Sequence, residues 1–180
     1  MIKDKQALRD TVFQEVENVG ITDIHTHIYP GHFGNLLLWG VDELLTYHYL
    51  IAEFFRYSSM SYAEFFALPK QAQADLIWKT LFVEHSPVSE AQRGVLTVLS
   101  KLGLDVAARD LDAYRDYFAK MSIEEYIDKV FDTAGVKTVV MTNDPFDPAE
   151  KPFWDTVGNN DRRFRAALRI DPLLNDYPNS

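Results

Sequence analysis

The stretch Ile21-Thr22-Asp23-Ile24-His25-Thr26-His27-Ile28-Tyr29-Pro30-Gly31 decides how the chain is read. Ile21, Thr22 and Ile24 favour a strand, and Pro30-Gly31 stops it. The spacing predicts a first strand over 21–26. Residues i and i+2 of a strand point to one face, so His25 and His27 project together near its C-terminal end. Two imidazoles there can converge on one ion at about 2.0–2.1 Å. The turn that follows sets them at a loop mouth, where parallel α/β sheets build their sites. Two histidines satisfied locally or facing solvent are the alternative. Their place at the end of the first apolar strand favours a metal pair.

Working outward, residues 4–18 place Leu8, Val12, Glu15 and Val16 at helical spacing, and Gly20 ends that helix. Beyond the motif, no convincing strand occurs from about 41 to 134. Residues 41–57 are apolar around much of their circumference and predict one largely buried helix. Further helices are expected over 61–68, from Pro69 to about His85, from Ser89 to Leu102 and over 106–120. The last opens at Ser122-Ile123-Glu124-Glu125, a capping box, and runs to Ala134. Val136–Met141 is β-branched and almost continuously apolar, as in a strand buried on both faces. Asn143-Asp144-Pro145 stops it. A short helix over 148–157 and a third strand over 164–170 follow. The chain is thus α/β with a parallel sheet. Residues 1–40 hold the first helix and strand, 41–134 a helical insertion, and 135–180 the second and third strands.

Composition narrows the function classes. The 180 residues are 47% hydrophobic and 25% charged, as in globular domains. Aromatics reach 13%, enough for a core, a sticky interface or both. Eighteen Lys and Arg against 27 Asp and Glu give a net charge of −9. With no basic patch, neither nucleic acid nor an anionic membrane is an expected partner. There is no cysteine, which excludes disulfides, thiolate metal sites and a Cys nucleophile. Any metal must sit on His, Asp or Glu. Residues 1–20 lack the apolar run of a signal peptide, and no stretch approaches the roughly 18 apolar residues of a membrane span. Cytoplasm is the expected location.

Other residues carry possible chemistry, each with a plainer alternative. Arg169, near the end of the third predicted strand, can hold a carboxylate in a bidentate fork or pair with Asp171 or Asp144. His48 and Tyr49 point about 100° apart on a helix, so both reach one site only near a helix end or kink. Otherwise they are a core histidine and a packed tyrosine. Asp144 can accept from a hydroxyl, although Asp-Pro turns favour a loop role. His32 lies in a Gly-rich loop and is expected to be exposed. His85 ends a predicted helix, where a cation complements the dipole. Tyr47, Tyr49, Phe54, Phe55 and Tyr57 read as core rather than as a sugar-stacking platform.

Asp23-Ile24-His25-Thr26-His27-Ile28-Tyr29-Pro30 resembles the start of the amidohydrolase superfamily, metal-dependent (β/α)8 barrels whose first strand ends in H-x-H. Within it, three features resemble uronate (glucuronate) isomerase. One is the large helical insertion between strands one and two. Another is Tyr47-His48-Tyr49, similar to the family's G-D-H-Y-K-W. The third is Thr142-Asn143-Asp144-Pro145-Phe146-Asp147 with Leu168-Arg169-Ile170-Asp171, similar to T-D-D-P-x-D and R-P-D. Here Thr46-Tyr47 replaces Gly-Asp, Leu50-Ile51 replaces Lys-Trp, Asn143 replaces Asp and Ile170 replaces Pro. These differences mark a divergent branch.

The resemblance implies a partial TIM barrel carrying a divalent metal, Zn2+ in type, on His25 and His27. It implies a sugar-acid substrate, with Arg169 and Asp144 as binding residues and His48 and Tyr49 as catalytic ones. The implied reaction is aldose–ketose isomerisation of a hexuronate such as glucuronate. A barrel needs about 200–400 residues. The chain is therefore expected to be an N-terminal part of a longer enzyme, lacking further ligands and without turnover by itself. A three-stranded open sheet would favour association, so a homo-oligomer is expected to be possible. Two other readings stay open: a metal-dependent hydrolase or decarboxylase of the same superfamily, and a non-catalytic assembly module.

Overall fold

The computed structural model describes residues 4–142, 144, 147–154, 161–167 and 169–176. In chain order the elements begin with α1 (Lys5–Asn18), β1 (Ile21–Asp23) and a 3-10 turn (Gly31–Leu36). Then come α2 (Val41–Leu45), α3 (His48–Phe54), α4 (Tyr62–Phe66) and α5 (Lys70–Trp78), which runs into a π-helical stretch (Lys79–Glu84). They are followed by α6 (Glu90–Lys101), α7 (Leu111–Ala119), α8 (Ile123–Ala134) and β2 (Val136–Met141). The chain ends with α9 (Lys151–Trp154), β3 (Phe164–Ala166) and α10 (Asp171–Asp176). Two compact units result, Met1–Leu37 with Tyr126–Ser180, and Leu38–Glu125.

The first unit is built on a parallel sheet in the order β1-β2-β3. β2 is the central strand, and Val139 and Met141 are buried. Val136, Thr138 and Val140, on the alternate positions, are only half-buried or partly exposed, so burial on both faces is not reached. The β1–β2 register slips between Ile21 and Thr22, leaving Lys137 as the extra residue of a bulge. A Cβ at Gly20 would meet the Lys137 side chain, so glycine lets that chain lie close. α1 forms as expected, capped by Asp4, whose carboxylate accepts from the Ala7 N–H at 2.8 Å. None of its residues is buried, and Leu8, Val12, Phe13 and Val16 are exposed.

β3 is tied down by charge. Val139 N–H donates to the Arg163 carbonyl at 2.7 Å, just before β3 begins. The Arg163 guanidinium bonds Asp161 at 2.7 Å and Asp128 of α8 at 2.7 Å, and it lies 4.7 Å over the Phe131 ring. Phe131 meets Phe164 edge-on at 5.3 Å. One cation therefore joins α8 to the start of β3.

The second unit, α2 to α7, is helical. Two capping boxes start its helices, at Ser61 with Glu64 and at Ser89 with Gln92. An aromatic core follows, with Phe54, Phe65, Trp78, Phe82 and Tyr114 all buried. Arg115 of α7 reaches Asp42 of α2 at 2.9 Å and Asp75 of α5 at 2.6 Å. These carboxylates hold the guanidinium charge against the cost of burial and raise its pKa.

Four expected boundaries change. The helix over 41–57 is two helices, parted at Tyr47, which is extended at ψ 142°. The helix over 106–120 begins only at Leu111, after Asp110 caps it. The first strand ends at Asp23 and the third at Ala166. The short helix expected over 148–157 is seen as α9, while 155–157 lie outside the described residues. α10 was not foreseen.

Arg163 holds the Asp161 carboxyl below the usual carboxylate range. A depressed native pKa means stability present above the unfolded value and lost as pH falls through the native one. Asp161→Asn should therefore lower stability at pH 7 by about 1 kcal/mol, read as a shift in urea midpoint. The gap between variant and parent should narrow as the pH falls below the ordinary aspartate range.

Candidate functional site

β1 ends where side chains capture its backbone. The Asp23 carboxylate accepts from the His25 N–H at 3.0 Å, and the Thr26 hydroxyl accepts from the Ile28 N–H at 3.2 Å. Both are local turns that compete with strand pairing. His25 and His27 therefore leave the sheet in a bend rather than sharing the strand face that their spacing predicts. They remain neighbours: their ring centroids are 6.0 Å apart, edge to face, and both side chains are exposed.

That spacing tests a shared ion. An imidazole centroid stands about 3 Å from an ion bound through its nitrogen, so two rings share one only within about 6 Å. The pair meets this at its outer limit. Imidazole donors suit Zn2+ and similar ions. Among the described residues no group of three or more His, Asp or Glu could hold a metal. The donor set present is thus the right chemistry but two-fold.

Past the bend, Tyr29 and Pro30 are buried, and the 3-10 turn brings Phe33 against Tyr29 at 5.7 Å. A cavity of about 190 Å³ opens here, lined by Pro30, His32, Phe33, Met141, Trp154 and Phe164 among others. His32, expected to be an exposed loop residue, is half-buried in this wall, its ring 4.7 Å from that of Phe33. Phe33 also stacks on Phe153 at 5.7 Å and meets Trp154 edge-on at 5.3 Å. Glu150, one turn before Trp154, has its carboxyl raised above the usual range, first by burial and then by Asp147. Nothing in the sequence pattern singled out Glu150 or Trp154, since only the fold sets Trp154 in the cavity wall and the Glu150 carboxyl beside it.

The remaining predicted residues fall as follows. Asp144 is half-buried just past β2, and its carbonyl accepts from the Asp147 N–H at 3.1 Å, which is the loop role. Arg169 lies beyond β3 rather than at its end, because β3 stops at Ala166, opposite the last residue of β2, Met141. It is exposed, with Nε 3.5 Å from Asp171, a weak pair. Asn143, Pro145, Phe146 and Leu168 of the two motifs lie outside the described residues.

In the second unit, His48 is the first residue of α3, so the helix end required of the His48–Tyr49 pair exists. Both are exposed rather than core, and their rings are 4.2 Å apart, with Tyr47 at 4.1 Å from His48. Burial, then Tyr49, raises the Tyr47 phenol pKa. Of the aromatic run, Phe54 is core, whereas Tyr49 and Tyr57 are exposed. His85 Nδ1 bonds the Thr80 carbonyl at 2.8 Å, with its ring 4.1 Å from Tyr57.

These features define an α/β protein with a parallel sheet, a histidine pair past its first strand and a helical block before its second. Among solved structures the chain is similar to a uronate isomerase from Bacillus halodurans C-125, at a TM-score of 0.90 and 53% identity over 99% of this chain. The chain spans 42% of that enzyme's length. It is uronate isomerase-like in sequence and fold. No family model matches it, and no curated protein does. Among the described residues no helix is long and apolar enough to cross a membrane.

The Asp23 turn should matter locally. Asp23→Ala should speed exchange of the His25 amide roughly fivefold by NMR, the loss of one modest hydrogen bond. Asp23→Asn keeps an acceptor and should change it less.

Proposed function

We propose that this chain belongs to an isomerase of hexuronates, with its three parallel strands forming the first three of a (β/α)8 barrel. The observation that carries this reading is the 53% identity and 0.90 TM-score to a uronate isomerase over 99% of the chain. The substrate class is a sugar acid such as glucuronate. The reaction moves a proton from C2 to C1 and a hydroxyl proton from O2 to the C1 oxygen through an enediol, with no net oxidation.

Each residue has a role in this reading. Arg169 holds the substrate carboxylate; its pairing with Asp171 is exposed and weak enough to yield to a bidentate partner. His48 and Tyr49 contact hydroxyls and assist proton transfer, presented from the start of α3. Asp144 shapes the loop after β2 and offers an acceptor for a sugar hydroxyl. His25 and His27 would hold a divalent cation of the Zn2+ type, and such an ion when bound would stabilise negative charge on substrate oxygens.

The test is conversion of glucuronate to fructuronate by the complete enzyme that contains this chain, with Zn2+ supplied. Turnover is expected for the uronate and not for lactones or amides; turnover of those alone would select a hydrolase instead. Arg169→Met should raise KM about 100-fold, as expected when a charged carboxylate clamp is removed. Independently of turnover, His25→Ala and His27→Ala should each lose the zinc retained after dialysis, read by atomic absorption. Inactivity across a panel of uronates in zinc-loaded protein would overturn the assignment.

A further inference from the structure

Three consecutive residues at the start of α3 bring their rings into mutual contact. The His48 imidazole has the Tyr47 ring 4.1 Å away, tilted by 54°, and the Tyr49 ring 4.2 Å away, tilted by 46°. Tyr47 and Tyr49 meet edge to face at 5.3 Å, which closes the triangle. Neighbours on a helix diverge by about 100°, so a regular first turn would splay three such side chains. Tyr47 escapes that rule because it is the N-cap of α3, extended at φ −68° and ψ 142°. Its side chain makes no capping hydrogen bond, and its ring lies against the imidazole.

What this contact does follows from what else holds His48. The residue is exposed and begins a helix, a place where a histidine can sample several rotamers. Among the described residues no hydrogen bond holds its ring, and the two tyrosines are its ring contacts. The two differ in firmness. Tyr49 is 59% exposed, whereas Tyr47 is half-buried and so is the more fixed neighbour. Burial, then Tyr49, raises the Tyr47 phenol pKa, so that group is neutral at about pH 7 and gives His48 an aromatic face without a charge.

We propose that Tyr47 is a positioning residue, whose ring holds the His48 imidazole in the orientation from which it meets substrate. This rests on the proposed function, in which His48 contacts hydroxyls and assists proton transfer, and adds a residue that acts through it. Tyr47 touches no reacting atom in this role. Its ring carries the effect, and its hydroxyl does not.

Turnover of glucuronate by the complete enzyme that contains this chain separates positioning from packing. Tyr47→Leu, which removes the ring, should lower kcat about tenfold and move KM by less than about twofold, the pattern of a group misplaced for the chemical step. Tyr47→Phe keeps the ring and should restore most of kcat. In a His48→Ala background Tyr47→Leu should cost nothing further, because a residue that acts through another loses its effect with it. In the unsubstituted chain, NOEs should run from the Tyr47 ring to the His48 ring protons, a readout that needs no variant to fold. Their absence would overturn the inference. So would equal losses in the Phe and Leu variants, an effect on KM in place of kcat, or a Tyr47→Leu penalty that persists without His48. Each of these leaves the isomerase reading intact. No turnover of any uronate by the complete enzyme would overturn the isomerase reading first, and this role with it.

Discussion

The sheet depends on β2 having a parallel partner on each side. Val139 is central to this: fully buried, it is matched to Asp23 across one edge and to Phe164 across the other. Parallel strands have to be connected by long crossovers, and here the first is the whole run of helices between Asp23 and Val136. Because all three strands run the same way, their C-terminal ends, Asp23, Met141 and Ala166, lie on one side of the sheet. The loops that follow them hold the histidine pair after β1, Asp144 and Glu150 after β2, and Arg169 after β3.

Within that frame, a side-chain hydrogen bond decides where β1 stops. Asp23 ends β1 by taking the His25 amide for itself. The result differs from a strand that simply runs on to Thr26, because the two imidazoles then meet edge to face at 6.0 Å instead of lying parallel on one surface. In the helical unit, extended Tyr47 parts the apolar run into two helices and leaves His48 and Tyr49 exposed at the new helix start.

Much of this was legible from residue patterns. Val136–Met141 forms a strand, although one buried on a single face, Ser89 precedes a helix and Ser122 opens one with a capping box, whereas Pro30-Gly31 is not what stops β1. Two kinds of feature were hidden. Strand ends depend on the partner as well as on the strand: Phe164–Ile170 looks extended throughout, but pairing ends where β2 ends. Burial depends on what packs against an element: the apolar positions of α1 have helical spacing, yet Leu8, Val12 and Val16 remain exposed. At the site, His25 and His27 stand out in sequence because the H-x-H spacing is local. Glu150 and Trp154 do not, because only folding brings the carboxyl and the indole together.

The central claim is that His25 and His27 act together as donors to one cation at the mouth of a parallel sheet. Imidazole 15N NMR during a zinc titration tests it directly, since the chain has five histidines, His25, His27, His32, His48 and His85. The account predicts that the His25 and His27 ring nitrogens move together and reach a plateau at one zinc per chain. Movement of only one of the two, or saturation at other histidines with this pair unchanged, would contradict it.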